Sequence, residues 1–398
     1  MDISQKKIAL VTDWITHWGG AERVFERLMQ LFPEADIYTS VYFPERPEVF
    51  AGKNIKTSFI QKIPFLNRRH KLCMLLRPLA FSRFDFSEYD LVISCTSAEA
   101  KGIIVGKREK IKDKKEGWKN NTSTTLNSSL LTLHSRAVHV CYCHTPTRYL
   151  WSHVEEYKNF LEFGWFNWLA RMIIPPAFAL MQRWDRKAAQ RPDIFIANSI
   201  NTQERIKKYY DRDSTVVYPF FQKNKAESRK QKAGIYFICL WRIVPYKRFD
   251  LAILACNQLN LPLKIFTSTL NDEVTRLQAI SGPTIEWIFR ASDTEVAAWL
   301  AGAVGFLMPQ EEDFWIVALE AMSHGTPVIA YGKWGALETV SHGESGILFP
   351  EQTVESLLLA IQIALGREWN PEVIQEYANK WNAEQFDRGI MDVVKSVL

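Results

Sequence analysis

Short apolar runs alternate along the chain with stretches in which apolar residues recur every three to four positions. Runs without a polar face predict strands buried on both sides, and the stretches between them predict helices with one apolar stripe. The fold class this implies is α/β, with parallel sheets covered by helices. Residues 7–11 predict a first strand and 13–20 the loop that follows it. Val24, Phe25, Leu28, Met29 and Phe32 then fall on one face of a helix. Further strands are expected at 36–41, 91–94, 138–143 and 194–197. After Tyr218-Pro219 the pattern begins again, with strands at 235–240, 263–266, 284–287, 305–308 and 328–330.

Two similar βα halves follow from this repetition. The polar, Lys- and Arg-rich segment 222–231 lacks apolar periodicity and is the expected linker, with the domain boundary between residues 195 and 230. Residues 107–129 carry a run of charges and then a run of Asn, Thr and Ser, which predicts a surface loop. The sequon Asn121-Thr122-Ser123 within it has no meaning for a cytoplasmic chain. At the other end, Phe386, Ile390, Met391, Val394 and Leu398 line one face of a last helix at 384–398.

A chain of 398 residues, 47% hydrophobic and 13% aromatic, can bury a substantial core and favours two domains over one. The net charge of +5 suits phosphorylated or membrane-associated substrates and is too small to indicate nucleic acid. Residues 1–10 fall short of a secretory signal. The most apolar long stretch, 165–181, is interrupted by Asn167, Arg171 and Pro175-Pro176, so no membrane span is expected and the location is taken as cytoplasmic. Six cysteines in an intracellular chain read as thiols rather than a disulfide framework. His139, Cys141, Cys143 and His144 are all zinc-ligand types. On a buried strand, however, the first three share one face at steps of roughly 6 to 7 Å, too far apart for one ion. No metal is expected.

The strongest local signal is the run from Glu312 through Asp313, Phe314, Trp315 and Ile316 to Glu320, in which two glutamates straddle a loop after a strand and the start of a helix. That edge of a parallel sheet is where ligands bind, and carboxylates there can accept from sugar hydroxyls. Taken alone, a solvated loop and a helix cap would look the same. Arg242 and Lys247 follow the strand at 235–240, where a guanidinium fork and an ammonium could grip a diphosphate or serve as ordinary loop charges. Gly19-Gly20-Ala21-Glu22 lies between the first strand and its helix, where backbone amides and the helix dipole would face an anion. Neither GxGxxG nor GxxxxGK[ST] occurs, which counts against a dinucleotide enzyme or a P-loop NTPase. His144 directly follows a buried strand, placed either for substrate or for a nearby carbonyl.

In this order the pieces resemble the group 1, or family 4, retaining glycosyltransferases of GT-B fold, nearly end to end. The resemblance rests on Thr12-Asp13-Trp14 with Gly19-Gly20-Ala21-Glu22, Asp90-Leu91-Val92-Ile93-Ser94, His144-Thr145-Pro146-Thr147-Arg148 and Ile196-Ala197-Asn198-Ser199. Arg242 to Lys247 and Glu312 to Glu320 complete it. It implies two Rossmann-like domains facing each other across a cleft. The acceptor-side domain would be 1–195, with an insertion at about 107–136 and the C-terminal helix of about 380–398 crossing back to it. The nucleotide-sugar domain would be 196–379.

By the same resemblance Gly19 and Gly20 lie near the diphosphate, Arg242 and Lys247 bind its oxygens, and Glu320 holds the ribose. Glu312 and the amides of Phe314, Trp315 and Ile316 hold the transferred sugar, which His144 meets from the opposite domain. The implied chemistry retains the anomeric configuration, the departing phosphate helping to deprotonate the acceptor, without cofactor or metal. The block 144–151 with Pro245-Tyr246-Lys247-Arg248 resembles mannosyltransferases of surface polysaccharide synthesis, so GDP-mannose is the first donor expected and UDP-linked hexoses stay open. The acceptor would be a glycan or a lipid-linked saccharide.

Larger residues stand where that family has glycine, at Trp315, Phe289, Trp334 and Thr267-Ser268-Thr269, and Trp241 precedes Arg242. Only 18 glycines occur in 398 residues, against an average of about 7%. A bulky Trp315 could narrow the sugar pocket, so the alternative is a catalytically weakened paralogue serving as a binding or assembly partner in a glycan-building complex. A GT-B enzyme of another reaction, such as an epimerase, fits the His144-Thr145-Pro146 block less well. Phe163, Trp165, Phe166, Trp168, Leu169, Met172 and Ile173, with the cations Lys62, Arg68, Arg69 and Lys71, read equally as a peripheral contact with the inner-membrane surface or as a core helix beside a basic loop.

Overall fold

The computed structural model describes residues 3–64, 73–106, 137–152, 167–221, 235–240 and 242–398, with the backbone alone at residue 4 and at 167–175. The insertion at 107–136 with its sequon, the linker at 222–231, Phe163, Trp165, Phe166, Arg68, Arg69, Lys71 and Trp241 lie outside the described residues. So do the side chains of Trp168, Leu169, Met172 and Ile173. The chain divides into two compact units, Met1–Ile196 with Arg205–Thr215 and Val393–Leu398, and Ala197–Glu204 with Val216–Asp392.

The first sheet has seven strands: β1 (Ile8–Thr12), β2 (Asp36–Thr39), β3 (Ile55–Thr57), β4 (Leu91–Thr96), β5 (Val138–Cys143), β6 (Ile194–Ala197) and β7 (Thr215–Val216). Their order is β3-β2-β1-β4-β5-β6-β7. The second sheet has six: β8 (Phe237–Leu240), β9 (Leu263–Thr267), β10 (Ile285–Phe289), β11 (Gly305–Met308), β12 (Val328–Tyr331) and β13 (Gly346–Phe349). Their order is β10-β9-β8-β11-β12-β13. The described pairings are parallel in both sheets. Each sheet therefore runs outward from a central strand in one direction, then returns past it to continue in the other, the order of a Rossmann-like doubly wound fold.

The apolar runs follow from burial on both faces. In the second sheet Ile238 and Leu240 of β8 join Phe306 and Met308 of β11 and Val328 and Ala330 of β12 in one core cluster. Their alternating neighbours Phe237, Cys239, Leu307, Ile329 and Tyr331 enter a second cluster on the opposite face. A period of two with both phases apolar leaves no polar face to read. In the first unit the helix Gly20–Leu31 buries Val24, Phe25, Leu28 and Met29, with Phe32 just past its end, as its spacing predicts.

Three strands escape the pattern. β3 and β7 are short, of three and two residues, and offer no run to detect. β13 begins with Gly346, which reads as a turn residue but serves close approach. A Cβ there would stand 2.0 Å from the carbonyl oxygen of Val328 on β12, its partner in register. β4 runs two residues beyond the apolar stretch, to Thr96, because its polar ends pair with β5. Among the described residues no helix is long and apolar enough to cross a membrane.

Gly346→Ala is expected to destabilise the chain by about 1–3 kcal/mol, since the backbone of β12 cannot yield as a side chain would. Urea denaturation checks it, and a midpoint unchanged from wild type would mean that β13 can shift away from β12.

Candidate functional site

In a doubly wound sheet the loops at the carboxyl ends of the strands part where the strand order reverses, leaving a crevice. In the first unit the reversal falls between β1 and β4, and the residues just beyond those strands gather around Asp13. Its carboxylate accepts from the Thr96 hydroxyl at 2.8 and 2.9 Å and from the amides of Ser97, Ala98 and Ala100 at 2.8, 3.0 and 2.8 Å. Burial, and then the charge of Glu99, push the Asp13 carboxyl above its ordinary range, while these donors oppose the rise.

Beneath this loop lie two buried ion pairs. Arg77 grips Glu99 with Nε at 2.7 Å and Nη2 at 3.0 Å; the Tyr149 hydroxyl also donates to Glu99, and the guanidinium sits 4.9 Å from the ring centre of Trp14. Lys101 meets Asp185 at 2.6 Å, both all but excluded from solvent. Asp185 also accepts from Thr147 Oγ1 at 3.0 Å, Trp151 Nε1 at 2.8 Å and the Tyr210 hydroxyl at 2.7 Å. The Lys101 ammonium donates in turn to Thr147 Oγ1 at 2.9 Å and to the carbonyl of Ala98. These ties hold Thr147, Tyr149 and Trp151 in the segment that follows β5. Neither pair is legible as a pair, although Glu99 and Lys101 stand out as charges in a run of small residues just past a strand.

His144 follows β5, its amide donating to the carbonyl of Thr96 at 3.0 Å. Its ring lies edge-on to Tyr142, centroids 5.2 Å apart, with Nε2 3.1 Å from Cys95 Sγ. Burial, aided by the charge of Arg148, pulls its pKa down to about 4, so the ring is neutral near pH 7. It borders a cavity of about 90 Å³ shared with Asp13, His17, Glu22, Cys95 and Ser97. Cys95 and His17 carry no motif that would single them out, whereas Glu22 closes the Gly19-Gly20-Ala21-Glu22 run.

The glycine pair is less open than its sequence suggests. Gly19 is extended, at φ −157°, a conformation any residue adopts, and the helix starts at Gly20. The anion met by its amides is Glu22 of the same helix, whose carboxylate accepts from the amides of Gly19 and of Glu22 itself. Burial raises the Glu22 pKa, and His17, 3.4 Å away, opposes the rise.

In the second unit the order reverses between β8 and β11. Arg242, beyond β8, is exposed, whereas Lys247 is buried at the end of the turn Pro245–Lys247. Its ammonium contacts Glu312 at 2.6 Å, with the two side chains 6% and 17% exposed. The structure thus brings two predicted residues from separate loops together at the switch point. The carbonyl of Glu312 accepts from the amide of Gly335 and from Trp315 Nε1, each at 3.1 Å. Asp313 accepts from Asn201 Nδ2 at 2.9 Å, and Phe314 packs on Tyr218 with ring centres 5.6 Å apart. Ile316 opens the helix Ile316–Ser323, and Glu320, half-buried, lies on its second turn.

Trp315 corrects one expectation. Its indole does not crowd a pocket but is 1% exposed within the core, and its φ of −115° is not a glycine conformation. Strain sits at Trp334 instead, with φ 54° and ψ −130°, next to Gly335, where a Cβ would lie 2.6 Å from the carbonyl of Asp313. Phe289 ends β10 partly exposed, stacked on Trp287 at 6.2 Å. In the cluster weighed for zinc, His139 Nε2 lies 2.8 Å from Ser94 Oγ. Among the described residues no group of three or more His, Cys, Asp or Glu side chains is placed to hold a metal.

Residues 220–381, most of the second unit, match the family model for glycosyl transferases group 1. A D-inositol 3-phosphate glycosyltransferase of Jonesia denitrificans is 33% identical over 103 residues, 26% of this chain and 24% of that protein. The chain thus spans about a quarter of the length of the curated relatives it matches. Among solved structures, Anabaena HepE in complex with UDP and glucose superposes with a TM-score of 0.69 at 17% identity, over 98% of this chain and 100% of that one. Sucrose-phosphate synthase from Thermosynechococcus elongatus gives 0.67 at 15% identity, over 99% of each. Residues 220–381 are thus similar to the group 1 glycosyl transferases, and the structural likeness over the whole chain shows a GT-B fold.

Asp185→Ala strands the Lys101 charge and is expected to cost about 3–5 kcal/mol of stability in urea denaturation. A loss below about 1 kcal/mol would mean that Lys101 finds another partner. For His144 the folded pKa lies below the unfolded value, so its contribution is complete above about pH 6.5 and is lost as pH falls towards about 4. Stability relative to His144→Asn is expected to fall by up to about 1.4 kcal/mol per pH unit across that window. A difference that stays constant from pH 7 to 5 would mean that the ring takes a proton as readily folded as unfolded.

Proposed function

We propose that the chain is a retaining glycosyltransferase that moves a hexose from a nucleotide diphosphate sugar to a glycan or lipid-linked acceptor in surface polysaccharide synthesis. Mannose carried by GDP is the donor put forward first. The observation that carries the reading is the Lys247–Glu312 pair at the switch point of the second sheet, within the stretch that matches the group 1 family. Lys247, held beside a carboxylate, and exposed Arg242 supply cations for the two phosphates, and a guanidinium fork suits phosphate oxygens. As the phosphate engages Lys247 it competes with Glu312, which frees that carboxylate to accept from a sugar hydroxyl. Glu320 takes the ribose hydroxyls, and the amides of Phe314, Trp315 and Ile316 support the sugar.

In the first unit, neutral His144 and the cavity beside it receive hydroxyls of the substrate. Gly19 and Gly20 approach the diphosphate, with Glu22 turned aside from their amides. The departing phosphate helps to deprotonate the acceptor, without a bound metal or cofactor. A cytoplasmic location with contact at the inner-membrane surface belongs to the same proposal. The glycosyltransferases among its relatives support sugar transfer, and the UDP and glucose held by HepE support a nucleotide sugar and make a UDP-hexose the competing donor. The alternative, a catalytically weakened paralogue acting as a binding or assembly partner, rests on Trp315, Phe289, Trp334, Thr267-Ser268-Thr269 and Trp241 at expected glycine positions; of these Trp315 counts least for it, since its indole lies in the core.

Calorimetric titration with GDP, UDP and GDP-mannose is expected to give micromolar binding of the guanine nucleotides, weakened at least about tenfold in Lys247→Ala and Glu320→Ala. Binding of UDP alone would keep the class and change the donor; binding of none of them would overturn the reading. A saccharide product then separates transfer from donor hydrolysis.

A further inference from the structure

We propose that the first unit carries a second binding site, a cavity beside the start of β6 in which Arg191 takes the carboxylate or phosphate head of a small organic anion. The proposal goes beyond glycosyl transfer and uses none of the residues assigned to it.

The strands set the place. β4 and β5 run parallel, and Thr96 and His144 lie at or just beyond their carboxyl ends. Asp193 stands at the opposite end, directly ahead of β6, where its amide donates to the carbonyl of His139 at 2.8 Å and its Oδ2 accepts from the His139 amide at 2.9 Å. There, residues 190–193, Arg212 and residues 103–106 line a cavity of about 540 Å³. That volume falls within the roughly 300–1,000 Å³ of small-molecule sites. Ile103, Ile104, Val105 and Pro192 give it an apolar wall.

Its charge is the second observation. Arg212 donates from Nη1 to the carbonyl of Ala189 at 3.0 Å and from Nη2 to those of Pro192 and Asp193 at 2.8 and 3.2 Å, which fixes the loop that carries Arg191. Arg191 donates from Nη1 to the carbonyl of Gly102 and so ties that loop to the wall that follows. These acceptors are neutral, and among the described residues neither guanidinium is paired with a carboxylate. The buried cations Arg77 and Lys101, by contrast, each have one, at 2.7 and 2.6 Å. Burial pulls the Arg191 pKa below its ordinary range, so the fold has withdrawn water from this cation without setting a carboxylate beside it. Such a charge is costly until an anion meets it. A guanidinium carries five N–H groups in a planar fork, and Nη1 alone of the Arg191 fork is engaged among the described residues. The rest of the fork suits an oxyanion, whose carbon body would rest on the apolar wall.

Calorimetric titration of the full chain with benzoate and with phenyl phosphate tests the site, the two probes sharing an apolar ring and differing in head group. Binding of at least one is expected, weakened about ten- to hundredfold in Arg191→Gln and kept in Lys247→Ala, and the probe preferred names the head group. Ile104→Glu changes a wall residue that is 42% exposed and leaves the Gly102 bond alone; it should block binding by presenting Arg191 with a carboxylate of the chain itself. In urea denaturation the bound probe at millimolar concentration should raise the midpoint of wild type and not of either variant. An Arg191 that serves only to close its loop predicts that neither probe binds wild type, and that result would overturn the proposal. So would binding that survives both Arg191→Gln and Ile104→Glu, or binding that is lost in Lys247→Ala, which would place the anion in the second unit.

Discussion

Lys101 and Asp185 bring opposite charges to 2.6 Å where neither side chain exceeds 2% exposure. Removing both from water costs several kcal/mol per ion, and the mutual attraction offsets this only if the remaining donors and acceptors are also used. Here they are. Asp185 takes four donors on its two oxygens, and Lys101 donates to a carboxylate, a hydroxyl and a carbonyl. Thr147 both accepts from the ammonium and donates to the carboxylate, so its side chain has one arrangement that satisfies the pair. The segment after β5, which ends in the short helix Arg148–Trp151, is thereby anchored at Thr147 and Trp151, while the His144 amide is bonded to the carbonyl of Thr96. Such a fully satisfied network tolerates no partial substitution, which is why it makes a rigid floor for a site.

The second unit treats charge differently. Arg242 stands in solvent, and the buried Lys247 ammonium meets Glu312, a carboxylate that retains partial exposure. The first unit uses charge to hold a shape, and the second leaves one cation in solvent and one beside a partly exposed carboxylate. In the first unit even the glycine turn already has its own carboxylate, Glu22. The cations Arg242 and Lys247 at the switch point of the second sheet and the neutral His144 ring beside its small cavity in the first are thus electrostatically unlike environments.

The strands with both phases apolar were legible, because burial on two faces leaves a continuous signal in one dimension. Their order was not, since parallel neighbours far apart in sequence are chosen by packing between helices and sheet. The residues beyond β8 and β11 could be picked out as charges after strands, and the reversal of strand order then brings Lys247 and Glu312 together. Cys95, Asp185 and Arg77 gave no signal of their own. An ionisable residue among apolar ones reads as a misplaced surface group until its partner is known, and Asp185 lies 84 residues from Lys101 in the sequence. Gly346 gave no signal for the opposite reason, because a missing side chain marks a turn and a close approach alike.

Bulky residues at expected glycine positions have no common meaning once each backbone is considered. At Trp315 the torsions are ordinary and the indole fills the core while its Nε1 secures the carbonyl of Glu312, so the side chain supports the loop that carries the carboxylate. At Trp334 the backbone does adopt torsions suited to glycine, storing about 1–3 kcal/mol of strain. That strain persists because the next residue cannot move. The amide of Gly335 is bonded to Glu312, and its α-carbon packs so close to Asp313 that no Cβ would fit. Both tryptophans therefore bear on one loop, the first by filling the core beneath it and the second by yielding to a contact it cannot break. The loop that carries Glu312 is thus secured from the core side by the Trp315 indole and at its far end by the Gly335 amide, with a bulky residue at each point.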